Sequence, residues 1–361
     1  MQIDLDYHNR IADLCLNHFK TLPKSGKPKQ SEWTILSCIV LEFEDDLNVV
    51  ALGTGSKCIG KNKMSPSGDI LNDSHAEVIC RRSFLRYLYE KGLGFIFFTT
   101  HVPCGDAAIF PKQNLEDFGN IIGGTSKSAG TEDEYEVPSK KVKVEEDGDI
   151  FRTGAKCLAE DIEQDLKLGG GGYHVLGAVR TKPGRGDPTL SVSCSDKFAK
   201  WCHLGLQGAL LSLLLEKPIY LKSFTISGST PFCKEALERA FYERLGNVSL
   251  DSPYAQNKMV IGQSTRMFEF AKDSAKQPCP SSISWCEVDG KRAEVAVDGR
   301  KQGVTKKNLN TPSGRLSICK LSFFKSFGDI CESCSVNLTE NMTYKEVKML
   351  ACDYQKKLEY S

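Results

Sequence analysis

Residues 71–88, LNDSHAEVICRRSFLRYL, constrain the fold of this chain more than any other stretch. A polar tetrad, Ser74-His75-Ala76-Glu77, precedes Val78, Leu85, Leu88 and Tyr89, which recur at roughly helical spacing. The pattern predicts a helix with one apolar face that opens at the tetrad. Ser74 and Glu77 fit S-x-x-E, in which the two side chains satisfy free N–H groups at a helix start. Arg81 and Arg82 then fall inside the helix, and cations placed beside a core need partners.

The flanking segments read as strands. TILSCIVLEF (34–43) and LNVVALGTG (47–55) are separated by the acidic turn EFEDD and predict a hairpin. FIFFTT (95–100) is a short apolar run of the buried-strand type, so strand, helix and strand around it suggest a βαβ unit. IADLCLNHFK (11–20) predicts a helix, as do KEALERAFYERL (234–245) and TYKEVKMLACDYQKKLEY (343–360). IYLKSFTISG (219–228) reads as a strand. Between residues 196 and 216 the pattern predicts one core helix, apolar on nearly all sides. Residues 123–149 are polar and charged with almost no core-forming side chains, which predicts a disordered insertion; KKVK within it is a weak nuclear signal or a solvated charge run. LGGGGYH (168–174) reads as a flexible joint and TKPGRGDPTL (181–190) as a loop whose RGD is accidental.

With 361 residues, of which 40% are apolar and 26% charged, the chain can build one large core or two ordinary ones. The 47 Lys and Arg nearly balance the 46 Asp and Glu, for a net charge of +1, so a polyanionic partner must be met by a local basic patch. MQIDLDYHNR lacks the apolar run of a secretion signal, and the apolar stretch from Leu204 to Leu215 is too short to span a bilayer. Fifteen cysteines without such a signal read as reduced thiols in the cytosol or nucleus. Cys331 and Cys334 form a lone C-x-x-C with no second pair at matching spacing, which predicts a turn with two buried thiols.

His75-Ala76-Glu77 also matches H-x-E, the first half of the pattern of zinc nucleobase deaminases; P-C-x-x-C is the second half. Pro103-Cys104-Gly105-Asp106-Ala107 lies 29 residues on, with Ala107 where the second cysteine belongs. A third ligand must come from elsewhere, and Cys194 in VSCSDKFAKW offers it at another polar junction that opens a helix; His101 competes. In the deaminase pattern the glutamate carries protons and is not a ligand.

GTGSKC (53–58), the stretch at 71–88, PCGDAAIF, and SCSDKFAKW with LGLQGALLS together resemble the adenosine deaminases that act on RNA. FRTGAK (151–156) and TKPGRGDPTLS are similar to the branch that acts on tRNA. The likeness runs from about residue 10 to the end, leaving no room for the double-stranded-RNA-binding domains that precede the messenger-RNA editors. It implies an α/β fold: a cytidine-deaminase-like core, a mixed sheet flanked by helices, elaborated with extra helices into a single deaminase domain over residues 1–361. The implied reaction is hydrolytic deamination of adenosine to inosine, at the adenosine just 3′ of the anticodon in alanine tRNA. Alternatives are an editor of messenger or double-stranded RNA, a free-nucleoside deaminase, and a catalytically silent RNA-binding partner.

The resemblance also implies roles. His75, Cys104 and Cys194 hold zinc; Glu77 takes the water proton, protonates N1 and serves the departing ammonia. Ser56 and Lys57 line the pocket of the flipped nucleotide, and Arg152 and Lys156 contact phosphates. Ala108 replaces a basic residue of the messenger-RNA editors. Asn72, Arg81, Arg82, Lys197, Lys200, Lys320, Tyr344, Lys348 and Tyr354 map onto contacts of a buried inositol hexakisphosphate, the alternative being a surface salt-bridge network. Lys200 replaces an arginine of that pattern, Leu358 stands in place of a lysine, and the last C-terminal contacts are missing. The partner implied is tRNA, with no membrane and no obligate protein partner, in the cytoplasm or nucleus.

Overall fold

The computed structural model describes residues 5–44, 46–89, 95–111, 150–151, 154–158, 176–183, 187–246, 248–288, 293–338 and 341–352. The insertion expected at 123–149 with its KKVK, the joint at 168–174, Arg152, Tyr354 and Leu358 lie outside these residues.

The predicted hairpin is the centre of an eight-stranded sheet. Strands β1 (Leu36–Phe43) and β2 (Asp46–Thr54) pair antiparallel from Leu36 opposite Thr54 to Phe43 opposite Asp46, with one irregularity between Ile39 and Val40. Strand β3 (Phe95–Thr99) pairs antiparallel with the other edge of β1. Because β1 runs against both neighbours, β2 and β3 are parallel to each other with β1 between them. The helix read at 71–88, α2 (Ala76–Leu88), connects them, so the expected βαβ unit is real but split by an intervening strand. Beyond β3 the sheet is parallel: β4 (Leu221–Ile226), then β5 (Val260–Gln263). On the β2 side it is antiparallel, through β6 (Ser281–Cys286), β7 (Glu294–Val297) and β8 (Arg300–Lys301).

Both faces of the central strands are covered, which is why their sequences are continuous apolar runs. On one face Ile39, Phe97 and Phe224 pack with Phe84 of α2, Phe198 of α3 (Cys194–Leu204) and Phe241 of α5 (Lys234–Phe241). On the other, Cys38, Val40, Leu52, Ile96 and Phe98 pack with Ile11, Cys15 and Phe19 of α1 (Leu5–Thr21). The swap of face between residues 96, 97 and 98 is the period-two alternation of a strand.

Three expectations need correction. The helix expected over 196–216 is two: α3 ends at Gly205, whose φ of 76° is left-handed, and α4 (Gly208–Leu211) is a single turn. Gln207 causes the break by bridging to the next strand's approach, donating to Leu204 O (2.7 Å) and accepting from Ile219 N (3.0 Å). The second is the capping box at Ser74 and Glu77, which does not form: His75 is the helix N-cap, without a side-chain cap, and Ala76 N donates to Gly55 O at 3.0 Å. The third concerns the C-x-x-C pair, which lies at the end of α6 (Lys320–Ser333), with Cys331 buried and Cys334 exposed. The C-terminal helix α7 is described over Tyr344–Leu350, where Thr343 and Glu346 do form a capping box. All fifteen cysteines are free thiols, and no described helix is long and apolar enough to cross a membrane.

Candidate active site

Three segments far apart in sequence bring His75, Cys104 and Cys194 together. The ribbon formed by Ser56–Cys58 and Asp73–His75 delivers His75 at the start of α2. The chain leaving β3 turns through Cys104, and Cys194 is the first residue of α3. His75 Nδ1 lies 4.0 Å from Cys104 Sγ and 3.8 Å from Cys194 Sγ, and the ligand atoms of the three residues all lie within 4.8 Å of one another. Ser195 stitches the two cysteine segments: its N–H and Oγ donate to Cys104 O, each at 2.9 Å, and its Oγ accepts from Ala107 N. Gly105 makes the approach possible. Its φ is 105°, and a Cβ there would stand 2.2 Å from Ser193 Oγ.

One imidazole and two thiols are a donor set suited to zinc, and three protein ligands leave a tetrahedral position open. The hydrogen bond from Cys194, opposed by burial and reinforced by Lys182 and His75, brings the Cys104 pKa well below the usual thiol range. Glu77 is 1% exposed, and its Oε2 has no hydrogen-bond partner. A buried carboxylate oxygen without a protein partner is costly unless something else meets it. Burial raises the pKa of Glu77, the direction wanted in a group that both accepts and returns a proton. Cys58, Asp73 and His75 also come within ligand distance, but Asp73 is already engaged. Neither His101, the competing ligand, nor Cys331 and Cys334 belong to either cluster among the described residues; burial and then Lys272 push the His101 pKa down to about 4.

Asp73 is a residue that sequence reading passed over. It accepts from Lys182 Nζ at 2.9 and 3.0 Å and from Lys197 Nζ at 2.8 Å. Burial opposes its charge, yet the two lysines and His75 together bring its pKa well below the usual range. Lys182, also missed, has a fully buried side chain and is held cationic by Asp73 despite that burial. A second set of ion pairs fixes the cysteine loops. Arg239 Nε meets Asp106 Oδ2 at 3.0 Å, two residues after Cys104, and Arg244 Nη1 meets Asp196 Oδ1 at 2.7 Å, two residues after Cys194. The only signal for these partners in sequence was the aspartate closing each of PCGD and SCSD.

The remaining sequence candidates divide. Ser56 stands opposite His75 and Lys57 opposite Ser74 in the ribbon. Lys156 is exposed on a two-residue strand whose partner is Arg180–Thr181. Arg81, Arg82, Lys197, Lys200, Tyr344 and Lys348 line one cavity of about 280 Å³ between α2, α3, α4 and α7, with no acidic residue among the described lining residues. Burial, then Lys348 and Arg81, lower the Lys200 pKa to about 8, and burial lowers that of Arg82 to about 10. Arg81 and Arg82 each satisfy part of the guanidinium on a carbonyl, Leu206 O and Ile318 O, and Arg82 lies 4.8 Å over the Phe323 ring. Lys320 is not in the wall, but its pKa is lowered by burial and by Arg82 and Lys348. Asn72 is not in the wall either, and its buried Oδ1 has no partner. Lys197 is committed to Asp73 and to Val192 O, so it joins this cavity to the metal cluster.

Comparison with known proteins agrees with this arrangement. The model of the adenosine-deaminase (editase) domain matches residues 51–92 and 90–360. The chain is 34% identical to the tRNA-specific adenosine deaminase 1 of Mus musculus, over 96% of this chain and 94% of that protein. It is 37% identical to the protein of the same name from Drosophila melanogaster, over 96% and 90%. The double-stranded RNA-specific adenosine deaminase of Rattus norvegicus is 27% identical over 96% of this chain, which spans 30% of that protein. Matched along nearly its whole length by both domain model and relatives, the chain belongs to the adenosine-deaminase (editase) domain family.

Proposed function

We propose that this protein is a zinc-dependent tRNA adenosine deaminase, built on a cytidine-deaminase-like core, that converts the adenosine just 3′ of the anticodon of alanine tRNA to inosine. The observation that carries the reading is the meeting of His75, Cys104 and Cys194 beside the unpartnered Glu77 Oε2. The relatives called tRNA-specific, at higher identity than the double-stranded-RNA enzyme, support tRNA as the substrate.

Zinc held by His75, Cys104 and Cys194 supplies a water activated for attack near neutral pH. Glu77 Oε2 would accept the water proton and hand it to N1 of the adenine as the oxygen adds to C6, then take the proton of the new C6 hydroxyl and deliver it to the amine as the C6–N bond breaks and ammonia leaves. One carboxylate serves throughout because the transfers are sequential. Its burial keeps bulk water from competing for the proton. Asp73 holds the His75 segment by accepting from His75 N at 3.1 Å, while Lys182 beside it keeps the cluster's negative charge balanced. Ser56 and Lys57 meet the sugar and the adjoining phosphate of the flipped nucleotide, a reading supported by their pairing with His75 and Ser74 in the ribbon. The basic cavity takes inositol hexakisphosphate as a structural ligand; five cations around one cavity, with no carboxylate among the described lining residues, support a polyanion there.

Incubating the purified protein with total tRNA and mapping inosine by sequencing tests the reading. Inosine at the adenosine following the alanine anticodon is expected; inosine confined to double-stranded RNA, or none, overturns it.

A further inference from the structure

A second cavity, of about 350 Å³, lies against the ribbon that carries His75. Alternation along the ribbon sorts its side chains. Cys58, Asp73 and His75 share one face, as the Cys58 Sγ to Asp73 Oδ1 contact of 3.1 Å shows. Lys57 and Ser74, paired with each other, border this cavity, and so do Ser56 and Cys58, so both faces of the ribbon reach it. One residue step therefore separates a metal ligand from the cavity wall.

Trp33, Pro278 and Pro280 supply apolar lining to the same cavity. Trp33 is half-buried, and its backbone is held in register with Pro278 by Cys279 N, which donates to Trp33 O at 2.8 Å. The segment that carries the indole is thereby fixed in the fold. Cations surround it: Lys57 and Lys63 in the cavity, and Lys272 Nζ 6.0 Å from the centre of a Trp33 ring. Of the two carboxylates present, Asp187 already accepts from Asn62 N and Nδ2, at 2.9 and 3.2 Å. Asp298 is exposed at the rim, where it can accept from an exocyclic amino group.

An aromatic plane, cations for phosphate and a free acceptor are what single-stranded bases are bound by. The volume is at the low end for ligand sites, about 300–1,000 Å³, enough for one base and too small for a base pair in a duplex. An enzyme that flips its target must also hold the neighbours it unstacks. We infer that this cavity receives the base of a nucleotide adjacent to the target adenosine, stacked on Trp33, with its phosphate against Lys57 and Lys63. The inference rests on the reading of this protein as an RNA adenosine deaminase and names a specificity residue for it.

The test uses the zinc-loaded full chain and an anticodon hairpin carrying the target adenosine, in three forms: intact, abasic at the 5′ neighbour, and abasic at the 3′ neighbour. Trp33→Ala should weaken binding of the intact hairpin roughly 5- to 150-fold, the range of one lost stacking partner, and Trp33→Phe should restore most of it. One of the two abasic hairpins should bind wild type correspondingly weakly and bind Trp33→Ala no worse. The intact hairpin should quench tryptophan fluorescence in wild type and not in Trp33→Phe, although that variant still binds. Equal loss on all three hairpins, or no loss on any, overturns the inference while inosine formation by wild type leaves the deaminase reading standing. A wild type that neither binds nor deaminates the hairpin overturns both.

Discussion

Asp73 and Lys182, 109 residues apart in sequence, meet through hydrogen bonds of 2.9 and 3.0 Å with no more than 7% of either side chain exposed. Lys197 shares the same carboxylate. Removing Asp73 therefore strands two cations, whereas removing either lysine leaves the aspartate one partner. Losing one member of a buried pair costs about 3–5 kcal/mol. Asp73→Ala should be the most destabilising of Asp73→Ala, Lys182→Met and Lys197→Met in chemical denaturation, and equal midpoints would contradict the shared-carboxylate arrangement.

Zinc content should follow the three ligands. Cys104→Ala is expected to lose the metal and the activity, while Cys334→Ala, exposed at the end of α6, retains both. Elemental analysis of the purified variants decides it, and full zinc occupancy in Cys104→Ala would exclude the site.

Glu77→Gln keeps the shape of the side chain and removes its ability to take a proton. Single-turnover deamination should fall at least about 100-fold, the low end of what general acid–base catalysis contributes. Zinc and tRNA binding should stay near wild type. Because no capping hydrogen bond joins Glu77 to Ser74, helix stability should change little, which thermal melting can read.

The basic cavity predicts a ligand that survives purification. Denaturing active protein and assaying the released small molecules by mass spectrometry should yield an inositol polyphosphate. Lys348→Glu places a carboxylate where the described lining residues have none and should give insoluble protein, unlike Glu77→Gln. Active, soluble wild type that releases no polyphosphate would remove the structural-ligand proposal and leave the zinc chemistry untouched.

Two S/T-x-x-E patterns show how far local sequence reaches. Thr343 and Glu346 form the reciprocal cap at an exposed helix start, where nothing competes for their side chains. Ser74 and Glu77 match the same pattern and do not, because Gly55 O satisfies Ala76 N and burial turns Glu77 toward the metal cluster. The hairpin, α2, β3 and β4 were legible because their periodicity is a short-range property of burial. The single helix expected at 196–216 failed on Gln207, whose partner at Ile219 lies beyond any helical window.

The sequence by itself supplied the candidate donors and proton carrier: the imidazole of His75, the thiols of Cys104 and Cys194 and the carboxylate of Glu77. It showed as well that arginines and lysines set beside a core need partners, since buried cations repel one another. Only the tertiary structure brought these segments together, because convergence depends on the split order of β2, β1 and β3 and on Gly105 passing Ser193 without a side chain. It alone decided that Asp73 would hold two lysines, and that Trp33 and Lys57 would line the same cavity. Those pairings are set by distances between segments that share no local pattern, and a short-range code carries no information about them.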